Sequence, residues 1–95
     1  MLGNGGVAPR LIREVKPGYT SDAMRARIQG TVRLQAIVSS DGSVSSARVI
    51  RSLDAVFGLD QEAVKTVKQW RFLPGTLAGR AVPVLIEVEL TFTLR

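Results

Sequence analysis

The sequence contains no cysteine and no histidine. Without them the chain lacks the usual ligands of zinc, haem and copper, and it cannot form Ser-His or Cys-His nucleophile pairs. A disulfide framework is excluded as well. Aspartate, glutamate, lysine and a single tyrosine are what remain for catalysis. The composition therefore argues against an enzyme, and we predict neither a cofactor nor a bound metal ion.

Long apolar runs are also missing, since no stretch approaches the roughly 18–20 apolar residues that span a bilayer. The first residues lack the charged and apolar regions of a signal peptide, so any anchor or export signal is expected outside this sequence. A chain without cysteine suits a reducing cytosol and many periplasmic proteins alike. With 95 residues, 45% of them apolar, we predict a flexible leader over residues 1–8 and one domain over residues 9–95.

The patterns that are present predict the order helix, strand, strand, helix, strand. A short helix is predicted through about Gln29, with Gly30 as its C-terminal cap. Residues 31–38 alternate between apolar and polar, and an Asp-Gly turn leads into a returning strand over residues 44–50. The returning strand alternates less cleanly, which indicates a bulge near Ser45-Ser46.

The second helix is predicted to begin at Asp60, as its cap, and to run to about Trp70. The last strand is the longest, because residues 82–94 alternate throughout. We therefore predict an α+β fold: a three-stranded antiparallel sheet, two short helices packed on one of its faces, and the long C-terminal strand at a sheet edge.

Two charged features suggest catalysis and nucleic-acid binding, but the arrangement of residues in the sequence supports neither. Glu87 and Glu89 share one face of the last strand and resemble a catalytic pair, but the alternation favours a role in solvating the outer face of a sheet. The net charge of +5 suggests nucleic acid. The basic residues are scattered, however, and few aromatic rings remain for base stacking. We predict no nucleic-acid partner, and instead an acidic protein surface or an anionic polymer.

The last strand is the most informative element. If it lies at an edge, its free backbone groups can accept another strand. Pro83 and the outward carboxylates are one way of protecting such an edge. The other two interpretations are that an extended peptide adds beside it and that two copies of the chain pair through it. The alternation of apolar and polar residues does not decide between these three interpretations.

Several segments together resemble the C-terminal domain of the TonB energy-transducer family, and the resemblance covers about residues 9–95. The most specific is the run Trp70-Arg71-Phe72-Leu73-Pro74-Gly75, which follows a predicted helix that begins with Leu-Asp. The others include Lys16-Pro17-Gly18-Tyr19, Ile28-Gln29-Gly30-Thr31-Val32, Asp41-Gly42-Ser43-Val44 and Gly79-Arg80-Ala81-Val82-Pro83-Val84.

The resemblance implies a periplasmic domain of an inner-membrane protein that is driven by a motor of the ExbB–ExbD type. Such a domain grips the TonB box peptide of an outer-membrane receptor as an added strand, and so drives uptake of siderophores, cobalamin or other large solutes. Carried onto this sequence, the implied peptide-binding residues are Lys16, Pro17, Tyr19, Pro83, Val84, Leu85, Ile86, Glu87, Val88, Glu89, Leu90, Thr91 and Phe92.

Two departures from the family pattern concern the turn that precedes the first helix. Members usually show Tyr-Pro where this chain has Tyr19-Thr20, and the best-studied type has glutamine at the position of Lys16. These changes would alter side-chain contacts, whereas backbone pairing would survive. Because the same domain also occurs fused to sensors and peptidases, the alternative is a dimerisation or adaptor module of another membrane or regulatory protein.

Overall fold

The structure, a computed structural model, describes residues 6–94. Two helices and eight strands follow one another in this part of the chain. In chain order they are β1 (Gly6–Val7), β2 (Arg10–Arg13), α1 (Ser21–Arg25), β3 (Gly30–Val38), β4 (Val44–Arg51), α2 (Leu59–Val67), β5 (Arg71–Leu73), β6 (Gly75–Leu77), β7 (Arg80–Val82) and β8 (Val84–Phe92). No helix among the described residues is both long enough and apolar enough to cross a membrane.

The principal sheet has three antiparallel strands in the order β4-β3-β8. The hairpin of β3 and β4 is the one that the alternation and the Asp-Gly turn predict. Its predicted bulge is confirmed, because Ile37 pairs with Ser46 and Val38 pairs with Val44, which leaves Ser45 without a partner. The predicted position of the last strand is confirmed as well, since β8 lies at the edge of this sheet.

The core lies between one face of this sheet and the two helices. Alternate residues of β3 point into it and are at most 1% exposed, as period-two alternation requires. Ala23 of α1 and Leu59, Ala63 and Val67 of α2 belong to the same cluster. Each fully buried aliphatic side chain contributes roughly 1.5–3 kcal/mol. The predicted packing of both helices on one face is therefore confirmed.

Helix α1 is shorter than predicted and ends at Arg25 rather than near Gln29. Its end is formed by Arg27, whose φ of 57° is left-handed. The N–H of the residue after Arg27 then donates to the Ala23 carbonyl at 3.0 Å, which satisfies a free helix carbonyl. Gly30, the predicted cap, instead opens β3. Arginine rarely adopts this conformation, so the nearest glycine was the natural but wrong choice.

Helix α2 also differs from the prediction at both ends, because it spans Leu59–Val67. Its N-cap is Gly58, which provides no side-chain cap. The carboxylate of Asp60 points back to the preceding loop and accepts two backbone N–H bonds of 3.0 Å. Asp54 accepts the first helical N–H, that of Leu59, at 3.2 Å. The predicted cap was thus the wrong aspartate. The helix ends before Trp70, and the residues directly after Trp70 form β5.

The short strands β1, β5, β6 and β7 were not predicted, whereas β2 lies in the segment from Pro9 to Pro17 that the sequence indicates as a short strand or an extended arm. Strands β2 and β5 pair with each other, and β1, β6 and β7 form a second three-stranded sheet. Gly6–Val7 thus differs from the flexible leader expected there, while residues 1–5 of that leader lie outside the described residues. Pro83 separates β7 from β8, so the last strand begins at Val84 and has nine residues.

Candidate functional site

The principal sheet has two edges, and they differ in regularity. Strands β4 and β8 each pair with β3 alone among the described residues. The register of β4 shifts twice, which leaves Ser45 and Ile50 without partners. All nine residues of β8 pair with β3 in one unbroken register. Because bulges disrupt pairing and twist an edge away from a neighbour, β8 is the edge suited to accept another strand.

A groove of about 430 Å³ follows the C-terminal half of β8. It is lined by consecutive residues from Glu89 to Thr93 and by no residue of β3. Consecutive residues of a strand point to opposite faces of the sheet, so the groove lies along the edge that β3 leaves open. Its other wall is formed by Glu14, Lys16, Pro17 and Tyr19.

That second wall, the arm over residues 14–19, is held in place by two hydrogen bonds and one ring contact. The indole Nε1–H of Trp70 donates to the Val15 carbonyl at 2.9 Å. The hydroxyl of Tyr19 donates to the Ile28 carbonyl. The ring of Tyr19 packs edge-to-face against Phe92, with 5.6 Å between centroids, which is a favourable aromatic geometry. Trp70, the first residue of the Trp-Arg-Phe segment, thus helps to position the groove wall.

The outer face of β8 carries the carboxylates that the sequence marked as a possible pair. Glu89 accepts from the guanidinium of Arg33 at 2.7 Å. The hydrogen bond and the charge of Glu89 raise the pKa of Arg33 above its ordinary value. Within residues 6–94, Glu87 forms no ion pair. No three acidic side chains in the described part of the chain come close enough to hold a metal ion.

A second groove, of about 250 Å³, lies at the N-terminal end of β8. We call it the apolar corner, and it is lined by Thr76, Leu77, Val82, Pro83, Val84 and Leu85. Val84 and Leu85 pair with Val38 and Ile37, yet neither of those β3 residues lines the corner. The apolar corner therefore also opens on the side of β8 that β3 leaves free.

The structure brings Lys16, Pro17 and Tyr19 to the same edge as the predicted strand residues. The side chains of Ile86, Val88, Leu90 and Phe92 face the core and are half-buried or buried, so a partner strand would contact these residues mainly through their backbone. Sequence reasoning missed Glu14 and the apolar corner. Glu14 stands two residues before Lys16, and in an extended arm that spacing places both on one side.

The family of the chain follows from comparison with known sequences. A family model described as the Gram-negative bacterial TonB protein C-terminal region matches residues 15–94. The chain belongs to this family. The match begins at the arm that forms the groove wall and runs through β8 to its end. The predicted family membership and the predicted α+β fold are thereby confirmed.

Curated relatives and a solved structure agree with the match to the TonB C-terminal domain. Protein TonB of Klebsiella pneumoniae is 32% identical over 82 residues, which are 86% of this chain and 33% of that protein. Protein tonB2 of Pseudomonas aeruginosa is 38% identical over 78 residues, which are 82% of this chain and 28% of that protein. The chain thus spans at most about a third of the length of these two relatives.

The solved structure is the solution NMR structure of the Pseudomonas aeruginosa TonB C-terminal domain. It superposes with a TM-score of 0.71 at 23% identity, over 90% of this chain and 86% of that one. At this identity the likeness shows the fold. This TonB C-terminal domain therefore shares its overall α+β fold with the solved structure.

Proposed function

We propose that the chain is the periplasmic, peptide-binding and non-enzymatic domain of a TonB-like energy transducer. Its ligand is the TonB box of an outer-membrane receptor, which pairs as an added strand along β8. Regions outside this sequence anchor the full-length protein in the inner membrane and connect it to a motor of the ExbB–ExbD type. The proton motive force then drives receptor-mediated uptake of siderophores or other large solutes.

The observation that carries the proposal is the regular, open edge of β8 with a groove at each of its ends. An added strand pairs with every second residue of an edge, and therefore with about half of the nine residues of β8. Each backbone hydrogen bond contributes roughly 0.5–1.5 kcal/mol net. Several such bonds give an affinity on the order of micromolar. The family match and the named relatives support the same ligand class.

The proposal is tested by titrating the isotope-labelled chain with synthetic TonB-box peptides from receptors encoded in the same genome. We expect the amide signals of β8 and of residues 16–19 to shift, because these line the groove. The amides of β4 serve as the internal control and should stay in place. If no box peptide shifts the β8 amides, the proposal is wrong.

A second set of peptides tests the mode of binding without changing the protein. Each peptide carries one N-methylated backbone amide, and the methyl group is moved along the sequence residue by residue. Strand addition predicts an alternating result, in which methylation at every second residue abolishes binding and the intervening positions tolerate it. If the peptide still binds with the N-methyl group at every position, the result would contradict backbone pairing along the edge of β8.

A further inference from the structure

Backbone pairing along β8 does not determine where on the strand a peptide sits. The hydrogen-bonding pattern of a strand repeats every two residues, so a peptide shifted by two residues forms nearly the same bonds. In strand addition, pockets for particular side chains supply the missing specificity. The side chains that β8 presents on its outer face are Leu85, Glu87, Glu89 and Thr91. Glu89 and Thr91 line the larger groove, and Leu85 is the one apolar member of the set and lines the apolar corner.

We propose that the apolar corner binds one bulky apolar side chain, such as leucine, isoleucine or phenylalanine, of the peptide paired along β8. This contact fixes the register of the peptide. The proposal rests on the proposed function, because it assumes that a peptide pairs with this edge.

The corner has the position that such an anchor requires. Pro83 has no backbone N–H and interrupts the strand, so the ladder ends where the corner begins. A peptide that follows β8 to this point has only side chains left with which to bind. Leu77 and Leu85 line the corner where the strand is interrupted, and they are 46% and 60% exposed to solvent. They are available to cover an apolar group.

The size and the lining of the corner fit one side chain. Its volume is about 250 Å³, whereas an apolar cavity of roughly 150 Å³ already accommodates a benzene ring. All its lining residues except Thr76 are apolar. An ionised side chain placed there would lose hydration without gaining a partner.

The walls of the corner are fixed before any peptide arrives. Strand β6 is paired on both sides, with β7 and with β1. Gly75 brings this strand so close to β8 that a Cβ atom at this position would lie 2.6 Å from Cγ2 of Val84. A pocket that is already formed binds a side chain without the cost of ordering its walls.

The two ends of the edge differ in chemistry, and this gives the bound peptide a direction. The corner is apolar, while the groove at the opposite end contains Glu14, Lys16 and Glu89. Val84 and Leu90 are six residues apart, and at about 3.3 Å per residue they are separated by roughly 20 Å. The corner has no charged lining residue, so a peptide that spans both ends is expected to place its bulky apolar residue there and a polar or charged residue near the charged side chains of the other groove.

The test uses a TonB-box peptide that shifts the β8 amides in the titration described above. Each residue of the peptide is replaced in turn by alanine, and affinity is measured by calorimetry for the wild-type chain and for Leu77→Ser. With the wild-type chain we expect one apolar position at which alanine weakens binding about tenfold. Leu77→Ser should weaken binding of the unsubstituted peptide to a similar extent.

The decisive result is the coupling between the two substitutions. If the side chain sits in the corner, alanine at the anchor position has no further effect once Leu77 is serine. Leu73→Ser is the matched control, because Leu73 is similarly exposed, at 49%, and lies outside the corner. Leu85→Ser is the second corner variant, and the amide spectrum of each variant reports whether it is folded.

Two outcomes would overturn the inference, and they point to different errors. If peptides shift β8 but the losses at Leu77 and at every peptide position simply add, the apolar corner is not the anchor and the proposed function stands. If no box peptide shifts the β8 amides, the proposed function fails and this inference fails with it.

Discussion

At the scale of single residues, Asp54 controls the loop that leads into α2. Its Oδ1 accepts the N–H groups of Val56 and Phe57 at 3.0 and 2.9 Å, and its Oδ2 accepts that of Leu59. Burial raises the pKa of Asp54, but the three backbone donors together outweigh it and leave the pKa below its ordinary value. The charged carboxylate is therefore the form that the folded chain prefers.

This preference predicts how stability depends on pH. A carboxyl whose pKa is lower in the folded chain stabilises it above the unfolded value of about 3.9, and the contribution is lost as pH falls through the folded pKa. Asp54→Asn should lower the free energy of unfolding by about 1–3 kcal/mol at neutral pH, because the NH2 group that replaces one carboxylate oxygen cannot accept a hydrogen bond and leaves at least one backbone N–H without its acceptor. Urea titrations should show this difference shrinking as pH falls below about 4.

Asp22→Asn is the control for this prediction. Asp22 pairs with Arg25 on the surface of α1, where both side chains are exposed. Exposed ion pairs contribute little, so the substitution should change stability only slightly. An Asp54→Asn variant as stable as the Asp22 control at neutral pH would contradict the role given to the Asp54 carboxylate.

Asp54 also shows why the sequence did not predict which aspartate caps α2. An aspartate directly before an apolar-periodic segment is the usual sign of a helix cap, and Asp60 fits that rule. The acceptor for the first helical N–H comes instead from five residues earlier. That contact depends on how the loop folds back on itself, which no local spacing encodes.

At the scale of elements, β8 has an open edge and carboxylates on its outer face. If two copies paired antiparallel about Val88, Glu87 of each copy would stand opposite Glu89 of the other. Like charges directly opposite one another destabilise a strand pair, by roughly 0.2–1 kcal/mol for each pair. The carboxylates thus disfavour self-pairing at neutral pH and leave the edge free for a different peptide.

We therefore expect the double variant Glu87→Thr/Glu89→Thr to dimerise more strongly than the wild-type chain. Light scattering across a concentration series measures this directly. The matched control is Arg48→Thr/Arg51→Thr on β4, which removes the same number of charges from the bulged edge and should not increase the average mass. Equal masses for the wild-type chain and the glutamate variant would show that the carboxylates do not limit pairing.

The elements differ in how far the sequence predicts them. Strands β3 and β8 were predicted because each contributes many alternating residues to one buried face. The strands β1, β2, β5, β6 and β7 have two to four residues each. Stretches this short carry too few residues to establish a period. They form only because the fold brings a partner strand alongside, so their pairing is a tertiary effect.

At the scale of the whole molecule, the side chain of Trp70 joins the helical layer to the groove. Trp70 follows α2 and is 5% exposed, and its hydrogen bond reaches Val15, 55 residues away in sequence. Trp70 does not line the groove, but it fixes the arm that does. We therefore expect the affinity for a peptide at the proposed site to be coupled to core packing through this residue.

Trp70→Phe tests the coupling, because it keeps an aromatic ring and removes the N–H donor. We expect a loss of about 1 kcal/mol in stability, faster hydrogen exchange at residues 15–19, and a peptide affinity several-fold lower. Phe57→Leu is the control, since Phe57 is 38% exposed and lies outside both grooves. Unchanged exchange at residues 15–19 would show that the arm is held by its other contacts.

The candidate site also shows that the sequence predicts local segments better than contacts between distant segments. The resemblance carried Lys16, Pro17 and Tyr19 to the edge strand because their segment has a recognisable sequence. The apolar corner was missed because Leu77 and Leu85 belong to strands of different sheets. Their proximity depends on the close approach of β6 to β8 at Gly75, which is a tertiary contact that no local sequence signal reveals.

The uninterrupted ladder along β8 has a mechanical consequence for a peptide paired with it. Tension applied along the strand axis acts in shear, so that every hydrogen bond between peptide and strand is strained at once. Tension applied at right angles peels the peptide away, and the bonds then break one at a time from the end. A complex of given affinity would therefore survive far longer under axial tension than under peeling, and the direction of β8 would set the direction of tension that the proposed complex resists best.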